Sequence, residues 1–349
     1  MLTESKMPTK PKLILIDINV LGISSMREWA YVGNSFNGKS ASAIQGTLDK
    51  LSRLIEKFDD HIPIVLWDDR CHWREEILPC YKRHRWETPE QQALLESYLA
   101  QAAVVRQLVG CLGIPQIFCP SFEADDLAGV ICRGIDPIWQ VVLATSDSDW
   151  YQTLRENVIW FSPLSERQVT SASLSDPDAI RDGPFDSTDH FIQAKALAGD
   201  SSDGIPGVRG VGLKTAARLI REYGSVENLW AKHDSGTPIK GVVQLRVAGL
   251  EYRDIYRRNL RLVDWRLAPA LPKNYEFEMN AAKRDAFEAT CDEWGITTGF
   301  LATARKPQPG NHMKSVPVAI KRALSAAACK SPSLQTEVKD ELGSMIPQN

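Results

Sequence analysis

Gln140-Val141-Val142-Leu143-Ala144-Thr145-Ser146-Asp147-Ser148-Asp149 is an apolar run of strand length that ends in a pair of carboxylates. A continuous apolar stretch of this kind fits a strand buried on both faces, as in a parallel sheet, better than the alternating pattern of a half-exposed one. Three other stretches repeat the arrangement. Leu13-Ile14-Leu15-Ile16 runs into Asp17, Ile62-Pro63-Ile64-Val65-Leu66-Trp67 into Asp68 and Asp69, and Gln116-Ile117-Phe118 is followed by Glu123, Asp125 and Asp126. Helix-length segments separate the runs. In one of them Thr88-Pro89 makes an N-cap and first-turn pair, and Leu95, Leu99, Ala102 and Val105 fall on roughly one face. Right-handed crossovers bring the carboxyl ends of such strands to one edge of the sheet, where open α/β sheets build their sites. The pattern predicts an α/β fold, a mostly parallel sheet flanked by helices.

Carboxylates crowded on one edge repel one another. Each close pair costs on the order of 4 kcal/mol at about 4 Å with an effective dielectric of about 20. Cations should neutralise them, and oxygen-only ligands select hard ions such as Mg²⁺ or Mn²⁺ over zinc or iron. Two divalent ions about 3.5–4 Å apart suit the number of acids and the hydrolysis of a phosphodiester. In the stretch 121–126, Ser121 is placed to cap a helix, with Glu123 and Asp126 three apart on one face and Asp125 beside them. A haloacid-dehalogenase-type phosphatase also carries an acid pair after its first strand, but here Asn19 stands two residues after Asp17 and removes one acid.

Residues 199–220, Gly199-Asp-Ser-Ser-Asp-Gly-Ile-Pro-Gly-Val-Arg-Gly-Val-Gly-Leu-Lys-Thr-Ala-Ala-Arg-Leu-Ile220, read as a helix, a glycine hairpin over 207–212 and a second helix. Leu213 stands where a Walker loop needs glycine, and no strand precedes the segment as a dinucleotide fingerprint requires. Glycines let a backbone approach a phosphate, the N–H groups of the following helix can hold it, and Lys214 and Arg218 add charge. This reads a nucleic-acid backbone without reading bases; a plain helical hairpin is the alternative. Asp200 and Asp203, three apart on the first helix, would bring two more acids to the metal edge. From 205 to 262 the chain carries eleven basic residues against five acidic ones, as a polyanion-binding surface would. A second basic stretch, Arg70 to Trp86, interleaves Arg74, Lys82, Arg83 and Arg85 with Trp73, Tyr81 and Trp86. It reads either as a gate that stacks single-stranded bases above the metals or as a solvated basic turn.

The 349 residues suit about two domains. With 43% hydrophobic and 24% charged residues and a formal charge of −3, the composition excludes a collagenous, disordered or histone-like chain. The polar start and the lack of a long apolar run predict a cytoplasmic protein without membrane contact. Seven cysteines without a CxxC pair suggest reduced core thiols rather than disulfides or zinc. The expected organisation is a flexible N-terminus over 1–12, an α/β core over 13–188, a helical region over 189–300, and a disordered tail over 301–349 apart from a helix at 318–329.

Together these pieces resemble the 5′ nuclease family, which includes phage 5′→3′ exonucleases, the exonuclease domain of bacterial DNA polymerase I and flap endonucleases. The resemblance spans roughly 12–265 and rests on Glu123-Ala-Asp-Asp126, Thr145-Ser-Asp-Ser-Asp-Trp150, Gly199-Asp-Ser-Ser-Asp203 and the hairpin from Gly207 to Ala216, in family order. It implies a PIN-like metal-dependent nuclease core and a helix–hairpin–helix region that grips duplex DNA. By that resemblance Asp17, Asp68, Glu123 and Asp125 hold one metal with Asp126 nearby, Asp68 being preferred to Asp69 on spacing. Asp147, Asp149, Asp200 and Asp203 serve the second. Lys82, Arg85 and Arg74 match the family's basic positions at the scissile phosphate. Tyr81 and the hairpin's Gly207, Gly210, Gly212, Lys214, Thr215 and Arg218 contact DNA, and the hairpin can hold potassium. Bulky Ile18 departs from the small residue that often follows the first aspartate. The implied protein is a monomeric 5′→3′ DNA exonuclease with flap endonuclease activity, most like the stand-alone phage enzymes, working beside replication proteins. The alternatives are a non-catalytic DNA-binding replication factor and a PIN-type ribonuclease.

Overall fold

The computed structural model describes residues 10–29, 35–36, 39–180, 183–297 and 316–328. β1 (Lys12–Asp17) leads into α1 (Ile18–Trp29), a small ladder of β2 (Ser35–Phe36) and β3 (Lys39–Ser40), α2 (Ser42–Lys57) and β4 (Ile62–Leu66). Next come α3 (His72–Ile77), α4 (Pro89–Cys111), β5 (Gln116–Phe118), α5 (Ala124–Gly134), β6 (Gln140–Ala144), β7 (Val158–Phe161) and β8 (Gln168–Val169). α6 (Thr188–Ala198), β9 (Gly199–Asp200), β10 (Ile205–Pro206), α7 (Leu213–Tyr223), α8 (Val226–Asp234), α9 (Val242–Ala248) and α10 (Leu250–Val263) form the helical region. β11 (Glu276–Glu278), α11 (Arg284–Trp294) and α12 (Val316–Ala328) follow.

Seven strands make one sheet in the order β11-β5-β4-β1-β6-β7-β8. The four apolar runs of the sequence are its centre and are mutually parallel, with Ile16 paired to Val65 on one side and to Ala144 on the other. β7 extends the parallel set, and β8 and β11 close the two edges antiparallel. From β1 the chain moves outward through β4 and β5, then crosses back to β6. The carboxyl ends of β1 and β6 therefore border the crevice where the winding reverses, the position at which open α/β sheets bind ligands.

Strand periodicity splits the core into two layers. Leu13, Leu15, Leu66, Val141 and Leu143 face α5 and the helical region, whereas Ile14, Ile16, Val65, Val142 and Ala144 face α1, α2, α4 and α11. Ile18 is buried in the second layer, so its bulk is spent on packing beneath the sheet edge. Thr88 caps α4 with a capping box and Pro89 at its start, as read from the sequence. The buried face of α4 follows the expected one only in part, at Ala102 and Val105. Leu99 is 56% exposed, and Gln101, Val105, Leu108 and Val109 make the buried stripe, because only the C-terminal half of α4 lies over the sheet.

Within the tail the helix expected over 318–329 is present and begins two residues earlier. Residues 316–328 are helical, and α12 buries Val316, Ile320, Ala323 and Leu324, with Ala323 so close to Gly134 of α5 that a Cβ there would meet it at 2.7 Å. Cys329 and the rest of 301–349 lie outside the described residues, as do 1–9. Five of the six described cysteines are buried free thiols; Cys80 is exposed. Among the described residues no helix is long and apolar enough to cross a membrane.

Candidate active site

Eight of the nine expected carboxylates converge on the carboxyl edge of the sheet. Asp17 ends β1, Asp68 lies two residues beyond β4, Glu123 caps α5, Asp125 sits in its first turn, and Asp147 and Asp149 follow β6. Asp200 and Asp203 reach the same place from the loop after α6. They are not on a helix as expected. α6 stops at Ala198 because Gly199 turns left-handed (φ 70), and Gly199–Asp200 pairs with Ile205–Pro206 in a two-residue ladder. Asp200 then accepts from the Ser202 N–H (2.7 Å) and hydroxyl (2.6 Å), which closes the turn locally.

Of the doubled acid, Asp68 and Asp69 separate by role. Asp69 accepts from the Ser121 N–H (2.8 Å), while Asp68 accepts from the Ala124 N–H at the start of α5 (2.6 Å) and faces Glu123 and Asp17. Ser121 does not cap α5; it adopts φ 64, and the chain reaches the helix through Glu123. Asp17 is 5% exposed and accepts from Thr145 Oγ1 (2.9 Å) and the Val20 N–H (3.2 Å). Burial, with the Asp68 charge beside it, pushes its carboxyl up to about 7. Asp125 accepts from the Trp150 indole N–H (2.6 Å), and burial and the nearby Asp147 raise it well above the carboxylate range.

Three cations lie among these acids. Lys82 bridges Glu123 (2.5 Å) and Asp203 (3.7 Å), Arg85 binds Asp203 (2.6 Å), and Lys195 of α6 bridges Asp149 (2.6 Å) and Asp200 (2.7 Å). Lys82 takes a left-handed φ of 53, with its N–H on the Asp203 carbonyl (2.8 Å), so the basic turn is fastened to the loop after α6. Against its burial, which acts upward, Lys195 and Ser202 bring Asp200 down to about 2. Burial lifts Asp149 to about 6 even with Lys195 in contact. Lys195 was absent from the sequence reading. The available signal was a single charge interrupting the apolar stretch from Phe191 to Leu197, one turn before Gly199.

Two expected residues turn inward. Arg74 is 2% exposed. Its guanidinium grips Asp126 twice (2.9 and 2.7 Å), reaches Glu123 (2.9 Å) and Cys71 Sγ (3.1 Å), donates from Nε to the Leu262 carbonyl (3.0 Å), and lies over the Trp73 ring. It cannot meet a phosphate without leaving buried acids unpaired. Asp126, spent on Arg74 and on the Glu123 N–H (3.1 Å), is thereby withdrawn from the edge. Cys71, Glu123 and Asp126 lie close enough together to suggest a further ion, but the Arg74 guanidinium already binds all three. Tyr81 is 5% exposed, with its hydroxyl shared between Glu123 (2.8 Å) and Asp203 (3.2 Å), so its ring packs in the core and is not presented for base stacking.

The hairpin glycines differ among themselves. A Cβ at Gly207 would fall 2.0 Å from the Ala198 carbonyl oxygen, so that position is glycine for packing against the end of α6. Gly210 supplies a left-handed turn (φ 78) beside Arg246, and a Cβ at Gly212 would meet nothing within 4 Å. Gly212 caps α7 and leaves its first-turn N–H groups, with Lys214 and Thr215 beside them, open to an anion. Lys214 and Arg218 are exposed on that helix.

The carboxylate edge offers oxygen donors from four strand ends and one loop. Burial, and then the Asp68 charge, hold the Asp17 carboxyl above the ordinary carboxylate range, and this crowded, oxygen-only donor set fits divalent ions.

Comparison with known proteins gives the family and the fold. Residues 12–181 match the model of the 5′-3′ exonuclease N-terminal resolvase-like domain, and 187–268 match that of the 5′-3′ exonuclease C-terminal SAM fold. The chain is 32% identical over 211 residues to a Streptomyces coelicolor 5′-3′ exonuclease, covering 57% of this chain and 67% of that one. It is 34% identical over 203 residues to the thermostable DNA polymerase I of Thermus thermophilus, covering 58% of this chain but only 23% of the polymerase. Among solved structures, a bacteriophage T5 protein co-crystallized with metal ions superposes with a TM-score of 0.60 at 26% identity, over 73% of this chain and 89% of that one.

Proposed function

Because this chain belongs to the 5′-3′ exonuclease family, we propose that it hydrolyses DNA phosphodiesters from 5′ ends and at 5′ flaps, yielding 5′-phosphate products. The observation that carries the reading is the convergence of eight carboxylates on the sheet edge where the winding reverses, with Lys82 and Arg85 at its rim. Asp17, Asp68, Glu123 and Asp125 would hold one Mg²⁺ or Mn²⁺, and Asp147, Asp149, Asp200 and Asp203 a second. Two such ions supply an activated water and stabilise the leaving oxygen.

The chain's own residues do the rest. Lys82 and Arg85 have their charges neutralised by Glu123 and Asp203 in the free protein, and a scissile phosphate would take over those donors once divalent ions occupy the acids. Tyr81 and Arg74 hold Glu123 from behind, so its carboxylate keeps its direction while Lys82 moves. Lys195 would likewise give up Asp149 or Asp200. Beyond the hairpin, the open start of α7 with Gly212, Lys214 and Thr215, and Arg218 one turn on, would hold a duplex by its phosphates. Gly210 shapes that loop, and its carbonyls would carry a potassium ion as in the family. We assign the chain to the cytoplasm as a monomer that meets replication proteins at its DNA substrate.

Digestion of 5′-labelled duplex, flap and RNA substrates in Mg²⁺, with EDTA as control, tests the proposal. Release of 5′-phosphorylated products from DNA is expected; cleavage of RNA alone would move the chain to the ribonucleases, and binding without cleavage to the non-catalytic factors.

A further inference from the structure

We propose that Tyr98 is a positioning residue for Asp68, acting through the side-chain amide of Asn19; this rests on the metal role given to Asp68 above. Asp68 stands beyond the end of β4 in an exposed segment, so the strand itself does not orient its carboxylate. Two groups do. The Ala124 N–H at the start of α5 donates to one oxygen (2.6 Å), and the Asn19 side chain, in the first turn of α1, lies beside the carboxylate and favours its charged form.

Asn19 is 9% exposed, and its amide has a fixed sense. The Tyr98 hydroxyl donates to Asn19 Oδ1, which turns the Nδ2 of the same amide toward Asp68. Were that hydroxyl missing, the amide could rotate and present Oδ1 to the carboxylate, replacing a hydrogen bond by repulsion. The sequence makes room for the arrangement: a Cβ at Gly22 would lie 2.7 Å from Tyr98 Cε2, so glycine lets the ring rest on α1. Burial, followed by the nearby Asp68 and Asp17 charges, holds the phenol well above its ordinary value, so it stays a donor across the neutral range.

The same bond ties α4 to the metal edge. Around Tyr98 the outer face of the helix is open to solvent, with Leu94 49% and Leu99 56% exposed. The basic turn with Lys82 and Arg85 leads directly into α4. The path Tyr98–Asn19–Asp68 therefore links the helix beside the phosphate-binding turn to a carboxylate of the metal edge. Losing a partner of this kind behind a ligand typically costs about 10–100-fold in metal affinity or activity.

Calorimetric titration of the full chain with Mn²⁺, without DNA, tests the idea on wild type, Tyr98→Phe, Asn19→Ala and the double variant. Tyr98→Phe should weaken one Mn²⁺ binding event by about tenfold. Asn19→Ala should weaken it at least as much, and the double variant should be no worse than Asn19→Ala, since both changes act on one path. The Mg²⁺ concentration for half-maximal cleavage should shift the same way, while the thermal midpoint of Tyr98→Phe in EDTA falls by no more than a few degrees, as one lost hydrogen bond would cause, which excludes a general loss of structure. Unchanged Mn²⁺ affinity in Tyr98→Phe, or additive losses in the double variant, would overturn the proposal. A wild-type chain that binds Mn²⁺ but cuts no DNA would sink the nuclease reading while leaving this one standing.

Discussion

Asp17 and Asp200 lie on the same edge, yet burial beside Asp68 lifts the first to about 7, while Lys195 and Ser202 draw the second down to about 2. The carboxylates at the ends of β1 and β4 and at the start of α5 sit at the edge of the sheet, and Asp17, Asp68 and Asp125 have no ion pair of their own among the described residues. Asp149, after β6, and Asp200, in the loop after α6, share a cation, Lys195, from the helix that precedes the loop. Both arrangements cope with crowded negative charge, one by holding a proton and the other by holding an ammonium. A divalent ion would displace a proton in the first and a lysine in the second.

The largest test asks whether the two groups are equally necessary. Asp17→Asn and Asp149→Asn should each lose about 4 kcal/mol of transition-state stabilisation, roughly 10³-fold in single-turnover cleavage of a 5′-labelled flap, with duplex binding retained. If one variant keeps normal turnover, its group does not hold a catalytic ion. Lys82 faces both groups, through Glu123 and Asp203, and Lys82→Ala should slow the same assay by about 10²-fold, the scale of one lost charge-stabilising donor.

The pH response should distinguish the groups without any substrate. Asp17 moves from an ordinary 3.8 to about 7 on folding, so between those values the folded chain binds more protons than the unfolded one. Metal-free stability should therefore fall as pH rises through that window, by roughly a few degrees in thermal midpoint in EDTA. Mn²⁺ binding should release protons most strongly near pH 6, which calorimetry in buffers of different ionisation enthalpy would detect. Asp200, depressed to about 2, contributes stability that is lost only as pH falls toward that value. The smallest effect leaves both groups intact: Lys214→Ala with Arg218→Ala should reduce the salt dependence of duplex binding by up to about 0.9 in log–log slope per lost contact. An unchanged slope would remove α7 from the DNA interface.

The four central strands, their parallel order and the acids that end them were legible because apolar runs and turn chemistry are local patterns. Three misreadings share a cause. Arg74 and Tyr81 looked like a phosphate contact and a stacking ring, since spacing reports charge and aromaticity but not which way a side chain turns. Leu99 was placed on the buried face because helical periodicity assumes that α4 is covered along its whole length. Asp200 and Asp203 were set on a helix because the left-handed break at Gly199 depends on its close contact with Ile205 and Gly207, which only the folded loop makes.

By itself the sequence determined a parallel α/β sheet with its carboxylates gathered at one edge and a basic helical region behind it, since strand burial and crossover handedness follow from residue order. Tertiary structure alone decided that Arg74 withdraws Asp126 and that Lys195 enters the second group. Each of these is a choice among oppositely charged partners far apart in the chain. It is made by which of them lose water together when the layers close, and no local pattern encodes that.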